Sequence, residues 1–217
     1  MYKTVVFDLD GTLLNTLTDL ADAGNRLCRK YGWPTHERQA YRYFVGNGIP
    51  KLVERLAPAD QRTPAVLEAA LADFKRDYGQ HLRDTTAPYP GIPEMLANLK
   101  ANGVQLAVFS NKADALAKEV VKDYFGTQYF TIVRGQMTGV APKPAAEGTN
   151  ALLQALHADP ASTLYVGDSN VDVETAHNAN LPCCGAVWGF RTREELNAAG
   201  AEYLAENSDE LYDVIMK

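Results

Sequence analysis

Val5-Val6-Phe7 is a continuous apolar run rather than an alternating one, the pattern of a strand buried on both faces. It stops abruptly at Asp8-Leu9-Asp10-Gly11-Thr12-Leu13-Leu14. The period then changes: Leu17, Leu20, Ala21, Gly24 and Leu27-Cys28 recur at helical spacing through Lys30. Thr16 or Thr18 is the expected N-cap of that helix, and Gly32 and Pro34 stop it. Short helices over 37–44 and 49–57 flank Gly46-Asn47-Gly48, and a long amphipathic helix follows over 65–82. Residues 16–84 show no strand pattern and read as a helical insert.

From Pro88-Tyr89-Pro90-Gly91 onward, helical and strand-like segments alternate. Helices are expected over 92–100, 114–124, 146–156, 171–179, 194–199 and 209–216. Strands are expected over 105–109, 129–133, 163–166 and 183–187, with a short element at 201–204. Strand–helix alternation implies parallel crossovers, and so an α/β sheet covered by helices on both faces.

Composition narrows the function. Of 217 residues, 46% are hydrophobic and 22% charged, enough for a substantial core. A net charge of -6 argues against nucleic-acid binding, so an anionic ligand has to be held by local cations or a metal. Cys28 and the adjacent Cys183-Cys184 form no disulfide framework and suit a reducing compartment. Between Leu181 and Val187, the latter two read as small apolar strand residues. No apolar run is long enough to span a bilayer, and the N-terminus enters the first strand without room for a signal peptide, so a soluble, cytoplasmic protein is expected.

The chemistry is concentrated where strands end, which is where open parallel sheets bind ligands. Asp8 and Asp10 follow the first strand; Ser110, Asn111 and Lys112 follow 105–109. Pro142-Lys143-Pro144 comes after 129–133, and Gly167-Asp168-Ser169 with Asp172 after 163–166. Taken singly, Ser110-Asn111 could cap a helix, Lys143 could be a solvated loop cation, and Asp10-Gly11 and Gly167-Asp168 could be turns. Jointly they bring acids, a hydroxyl, an amide and a lysine to one sheet edge. Two like charges roughly 5 Å apart cost about 3 kcal/mol at an effective dielectric of about 20. An all-oxygen donor set that must relieve such crowding points to Mg²⁺ rather than zinc. His36, His81, His157 and His177 are scattered and offer no competing metal cluster.

Asp8-Leu9-Asp10-Gly11-Thr12-Leu13, Ser110-Asn111, Lys143 and Gly167-Asp168-Ser169-x-x-Asp172 resemble the four motifs of the haloacid dehalogenase superfamily of aspartate-nucleophile phosphatases. The resemblance implies a Rossmann-like core formed by residues 1–14 and 85–217, interrupted by a helical-bundle cap over 15–84. It implies Asp8 as nucleophile, Asp10 as acid and base, and Mg²⁺ held by Asp8, the Asp10 carbonyl and Asp168, with Asp172 behind them. Ser110, the Asn111 backbone and Lys143 would hold the phosphate oxygens. Asp19-Leu20-Ala21-x-x-x-Asn25, Val45-Gly46-Asn47-Gly48 and Val187-Trp188-Gly189-Phe190 are similar to bacterial phosphoglycolate phosphatases, which makes 2-phosphoglycolate the first substrate to consider. Asn15-Thr16 stands where relatives commonly carry Asp-Ser, a departure that bears on the cap hinge rather than the nucleophile.

In the cap, Gly46 and Asn47 are expected to approach substrate, since glycines permit close backbone approach. Lys51, Arg42 and Arg191 are candidate partners for a carboxylate. The expected partner is a small phosphorylated metabolite, with no nucleic acid or membrane, bound by a monomer or homodimer. Competing readings are a sugar-phosphate mutase or pyrophosphatase of the same superfamily, a phosphonate hydrolase using Lys51, and a non-catalytic phosphoacceptor such as a receiver domain.

Overall fold

A computed structural model describes all 217 residues. By compactness the chain divides into two units, Met1–Leu14 with Pro88–Lys217, and Asn15–Ala87. It passes between them at β2 (Leu14–Asn15) and β3 (Ala87–Pro88), which pair as a two-stranded sheet.

The larger unit is an α/β layer built on β1 (Thr4–Phe7), whose side chains are all buried. The other strands are β4 (Gln105–Ala113), β5 (Phe130–Gln136), β6 (Thr163–Gly167), β7 (Cys183–Ala186) and β8 (Tyr203–Ala205). They form one sheet in the order β5-β4-β1-β6-β7-β8, and every neighbouring pair is parallel. From β1 the chain builds outward through β4 to β5, then returns to the other side of β1 for β6, β7 and β8. That reversal makes the carboxyl ends of β1, β4 and β6 the topological switch point, where open α/β sheets form their binding crevice.

The crossovers run through α5 (Ile92–Ala101), α6 (Asp114–Phe125), α7 (Ala146–Leu156), α8 (Asn170–Asn178) and α9 (Arg193–Ala199), and α10 (Ser208–Met216) follows the last strand. One apolar cluster joins Val6, Ala107, Phe109 and Tyr165 of the sheet to Leu152, Leu156, Val173, Ala176 and Leu196 of the helices. Cys183 and Cys184 are wholly buried, and burial pushes both thiols up, so they behave as small apolar residues.

Strand β4 is longer than its apolar pattern implies, running on through Ser110-Asn111-Lys112 to Ala113. Its register against β5 shifts between Phe109 and Ala113, and Gly135 of β5 makes room for it: a Cβ there would meet the Lys112 carbonyl at 2.4 Å. The polar end of β4 is therefore held as strand rather than released as loop.

The smaller unit contains α1 (Leu17–Tyr31), α2 (Arg38–Phe44), α3 (Ile49–Leu56) and α4 (Pro64–Gln80). The α1 and α4 apolar faces bury Leu20, Leu27, Phe74 and Tyr78. Thr16 is the N-cap residue of α1 by position but makes no side-chain cap bond, and its hydroxyl lacks a partner. Polar residues in α1 do other structural work. The Asn25 side chain donates to the His36 carbonyl and accepts from its N–H, both at 2.9 Å, standing in for a backbone partner. The Tyr41 hydroxyl also donates to Asn25, at 3.0 Å.

Asp19 ties the first turn of α1 to the end of the insert. Its buried carboxylate accepts from the N–H and hydroxyl of both Thr85 and Thr86, at 2.5–2.9 Å. Asp19→Ala would leave four donors in a dry site, and the expected loss is about 3 kcal/mol, read from urea unfolding. Asp19→Asn, which keeps acceptor capacity on one side, should fall in between. A loss below about 1 kcal/mol for the alanine variant would mean that water replaces the carboxylate. No helix of the chain is long and apolar enough to cross a membrane.

Candidate active site

The turn after β1 is wound around the Leu9 carbonyl, which accepts from Leu13 and Leu14 N–H at 3.0 Å each. Gly11 takes φ +94°, and a Cβ there would lie 2.3 Å from an Asp168 oxygen. Gly189, beyond β7, approaches Asp168 from another side, where a Cβ would sit 2.2 Å from the Asp168 Cβ. Two glycines thus let backbone close in on one carboxylate. The Asp168 oxygens accept from the Thr12 hydroxyl at 3.2 Å and the Phe190 N–H at 2.7 Å.

Asp8, Asp168 and Asp172 are all buried, with one oxygen of each within 4.8 Å of the others. Lys143 joins this group: its Nζ lies 2.9 Å from Asp8 Oδ1 and 2.7 Å from Asp172 Oδ1. The lysine is fixed from below and behind. Its ammonium donates to the Tyr165 oxygen at 3.2 Å, and the Tyr165 hydroxyl donates to the Phe109 carbonyl at 3.4 Å. Its backbone is gripped by the Asn111 side chain, which accepts from Lys143 N–H at 2.8 Å and donates to its carbonyl at 3.3 Å. Ser110 Oγ accepts from the Lys112 N–H at 3.2 Å.

Helix capping places Asp172. As the third residue of α8 its Oδ2 accepts from the N–H of Ser169, at 3.1 Å, and from its hydroxyl, at 2.7 Å. With Oδ1 given to Lys143, Asp172 has both oxygens engaged. Asp8 differs: Oδ1 is close to Lys143 yet accepts no well-directed hydrogen bond, a buried carboxylate oxygen left over.

Asp10 stands apart from the three buried acids. It is partly exposed and pairs with Lys112, whose Nζ lies 3.1 and 3.3 Å from its two oxygens. Lys112 is itself only 2% exposed. Four carboxylates, Asp8, Asp10, Asp168 and Asp172, thus face two ammonium groups, a formal deficit of two positive charges. A metal ion held there would supply that charge, and an all-oxygen donor set with one orphaned oxygen fits one.

Electrostatics reflect the crowding. Burial pushes Asp8 up to about 7, with Asp172 and Asp10 adding to the rise and Lys143 opposing it. Burial likewise holds Asp168 well above the carboxylate range, reinforced by Asp172 and Asp8. Burial pulls Lys143 down, but Asp172 and Asp8 outweigh it and keep the ammonium protonated.

The residues expected at the strand ends are therefore placed on one sheet edge. Sequence reasoning gave no role to Lys112, Tyr165, Thr12 or the backbone N–H of Phe190. Lysine is a default surface residue and Tyr165 sits inside an apolar strand; only the position of Lys112 after a strand could have marked it. In the helical unit, Gly46 and Gly48 take φ +106° and +82° around Asn47, whose Oδ1 accepts from Arg55 at 2.9 Å. Lys51 is 2.9 Å from Glu54 on the same helix face.

The chain matches the model of the haloacid dehalogenase-like hydrolases over residues 5–186. The phosphoglycolate phosphatase of Chromobacterium violaceum is 31% identical to it over 216 residues, 98% of this chain and 96% of its own. That of Thiobacillus denitrificans is 31% identical over 191 residues, 87% of this chain and 84% of its own. A crystal structure from Lactobacillus delbrueckii subsp. bulgaricus, itself provisionally assigned as a phosphoglycolate phosphatase, has a TM-score of 0.93 and 28% identity over 99% of this chain and 98% of that one. A match over most of the length, on the same sheet that gathers the four acid- and lysine-bearing strand ends, has one consequence: this chain belongs to the haloacid dehalogenase-like hydrolases.

Proposed function

We propose that the protein is a Mg²⁺-dependent phosphomonoesterase that works through an aspartyl-phosphate on Asp8, with 2-phosphoglycolate as its first candidate substrate. The observation that carries this reading is the buried chain Asp8–Lys143–Asp172 beside Asp168 at the switch point of the sheet. The choice of substrate is supported by relatives named phosphoglycolate phosphatase, 31% identical over 98% of this chain.

In the first step an Asp8 oxygen bonds to phosphorus as the ester P–O bond breaks, and Asp10 gives its proton to the departing alkoxide. In the second, Asp10 takes a proton from water as that water attacks the aspartyl-phosphate, releasing inorganic phosphate and restoring Asp8. Lys143, Ser110 and the Asn111 N–H would hold the transferring oxygens, where charge stabilisation counts most. Asp172 keeps Lys143 in place. Asp8, the Asp10 carbonyl and Asp168, backed by Asp172, are the groups that would hold Mg²⁺, which when bound screens the nucleophile from the anionic phosphate.

Residues 15–84 are the cap that would choose among esters, with Gly46 and Asn47 as candidate contacts. Lys51, paired with Glu54, would have to leave that pair to reach a substrate, which weighs against a Schiff-base phosphonate hydrolase. The test is a screen of phosphate release across a metabolite panel, with Mg²⁺ and with chelator. Release from 2-phosphoglycolate that chelator abolishes is the expected result. Hydrolysis of other esters but not this one would remove the substrate and keep the chemistry. Sugar-phosphate interconversion without free phosphate would identify a mutase. A stable phosphoprotein after acetyl-phosphate treatment, without turnover, would identify a phosphoacceptor.

A further inference from the structure

Within the helical unit, one arginine holds the loop that joins α2 to α3. Helix α2 ends at Phe44, so its last carbonyls run out of helical donors. Arg55, in the last turn of α3, supplies them: its guanidinium donates to the Phe44 carbonyl at 2.8 Å and to the Tyr43 carbonyl at 3.2 Å. The same group donates to Asn47 Oδ1 at 2.9 Å, fastening the middle of the loop as well as its start. Gly46 and Gly48 flank Asn47 at φ +106° and +82°. A Cβ at Gly46 would meet nothing within 4 Å, so that glycine serves the turn and not a close approach. The backbone is thus bent to present one side chain, and Arg55 fixes how that side chain is turned.

A guanidinium only donates, so the Asn47 amide has to turn its oxygen toward Arg55 and its N–H2 group the other way. Asn47 is partly exposed, which leaves that group accessible. We propose that Arg55 is a positioning residue for substrate choice: by holding the Asn47 amide with its donors outward, it makes the loop select esters whose leaving group ends in an oxygen acceptor. This rests on the phosphomonoesterase reading, in which residues 15–84 choose among esters and Asn47 is a candidate contact. Two N–H donors match a carboxylate and are mismatched to an ammonium, which is itself a donor without acceptor capacity. Without the guanidinium, a half-turn of the amide would present Oδ1 as readily as N–H2, and the loop would lose its preference. Arg55 therefore acts through Asn47 and not on the ligand.

Three esters test this: 2-phosphoglycolate, which ends in a carboxylate, O-phosphoethanolamine, which ends in an ammonium, and phenyl phosphate, which offers neither. In Arg55→Met, KM for 2-phosphoglycolate relative to phenyl phosphate is expected to rise about 30-fold, the effect of one hydrogen bond to a charged group, with the ratio of their kcat values unchanged. Asn47→Asp keeps an acceptor for Arg55 but turns a second, anionic oxygen outward, so preference should pass from 2-phosphoglycolate to O-phosphoethanolamine. In the double variant Arg55→Met/Asn47→Ala, the loss should be no larger than in Asn47→Ala alone, because the arginine works through the amide. Losses that add in the double variant, or that fall equally on all three esters, would confine Arg55 to holding α2 and overturn the proposal. Preference left intact by Asn47→Ala overturns it as well. A wild type that cleaves phenyl phosphate without favouring 2-phosphoglycolate over O-phosphoethanolamine also overturns it, while the phosphatase reading stands; one that cleaves none of the three overturns both. If Arg55→Met does not fold, Asn47→Asp, with Arg55 in place, decides by the same ratio.

Discussion

Asp8→Asn is expected to lower kcat by on the order of 10⁵-fold or more while making the metal-free protein more stable above pH 7. The activity loss follows from replacing the proposed nucleophile by an amide that cannot form the acyl-phosphate. The gain in stability follows from what Asp8 costs the fold. Burial, with Asp172 and Asp10 nearby, raises its pKa to about 7 from an ordinary 3.8. The folded state therefore binds this proton more tightly than the unfolded chain does. Its contribution is fully present below about pH 4 and is lost as pH rises through about 7. By pH 8 the loss is on the order of 4 kcal/mol, since each pKa unit is worth about 1.4 kcal/mol. The amide has no such proton to lose. Melting temperatures in chelator at pH 5.5 and 8 should diverge for wild type and much less for Asp8→Asn. Some slope should remain in the variant, because Asp168 is raised in the same direction. Equal slopes in the two proteins would show that the charge of Asp8 is relieved in some other way. Wild-type turnover by Asp8→Asn would end its assignment as nucleophile.

The readable part of this site was the part encoded as interruption of a simple pattern. Val5 to Phe7 form a fully buried central strand, so the acids that end it stand out against the cost of burying charge. The same contrast marks Asp168 after β6. Order in the sheet is a different matter: nothing local in Val5 or Thr163 says that β1 lies between β4 and β6, because that pairing joins segments over 100 residues apart. Side chains whose type has a routine explanation were equally opaque. Lys112 stands after a strand without a role until its 2% exposure and its contact with Asp10 are known, and Tyr165 reads as core until its hydroxyl is found under Lys143. Phe190 contributes through its N–H, which has no sequence signature at all. Asp19 and Asn25, which resembled family markers, have structural duties in the helical unit, with partners 66 or 67 residues away for Asp19 and 11 or 16 for Asn25.

Lys143→Met is the variant expected to damage both fold and chemistry, and Mg²⁺ should separate the two effects. The methionine matches the lysine's length but leaves Asp8 and Asp172 facing each other in a dry pocket. Breaking a buried pair by removing one partner costs about 3–5 kcal/mol, and here one ammonium serves two carboxylates. In chelator the variant should therefore unfold at markedly lower urea than wild type at pH 7.5. Below about pH 6 the gap should narrow, because Asp8, already raised to about 7, takes a proton and no longer needs the lysine. A divalent cation held by the folded carboxylates would restore much of the lost stability by mass action. Turnover should not return with it: the transferring oxygens would still lack their fixed cation, a loss of about 10²–10³-fold in kcat. Lys143→Arg should not rescue either property, since the ammonium is seated between Asp8, Asp172 and the Tyr165 hydroxyl, and a planar fork does not fit that position. Stability that returns with Mg²⁺ while activity does not would assign the lysine two separable roles, one in neutralising the metal-free site and one in transfer. If activity returned in step with stability, Lys143 would be a structural counter-ion alone, and the phosphate would have to be held by Ser110 and the Asn111 N–H without it.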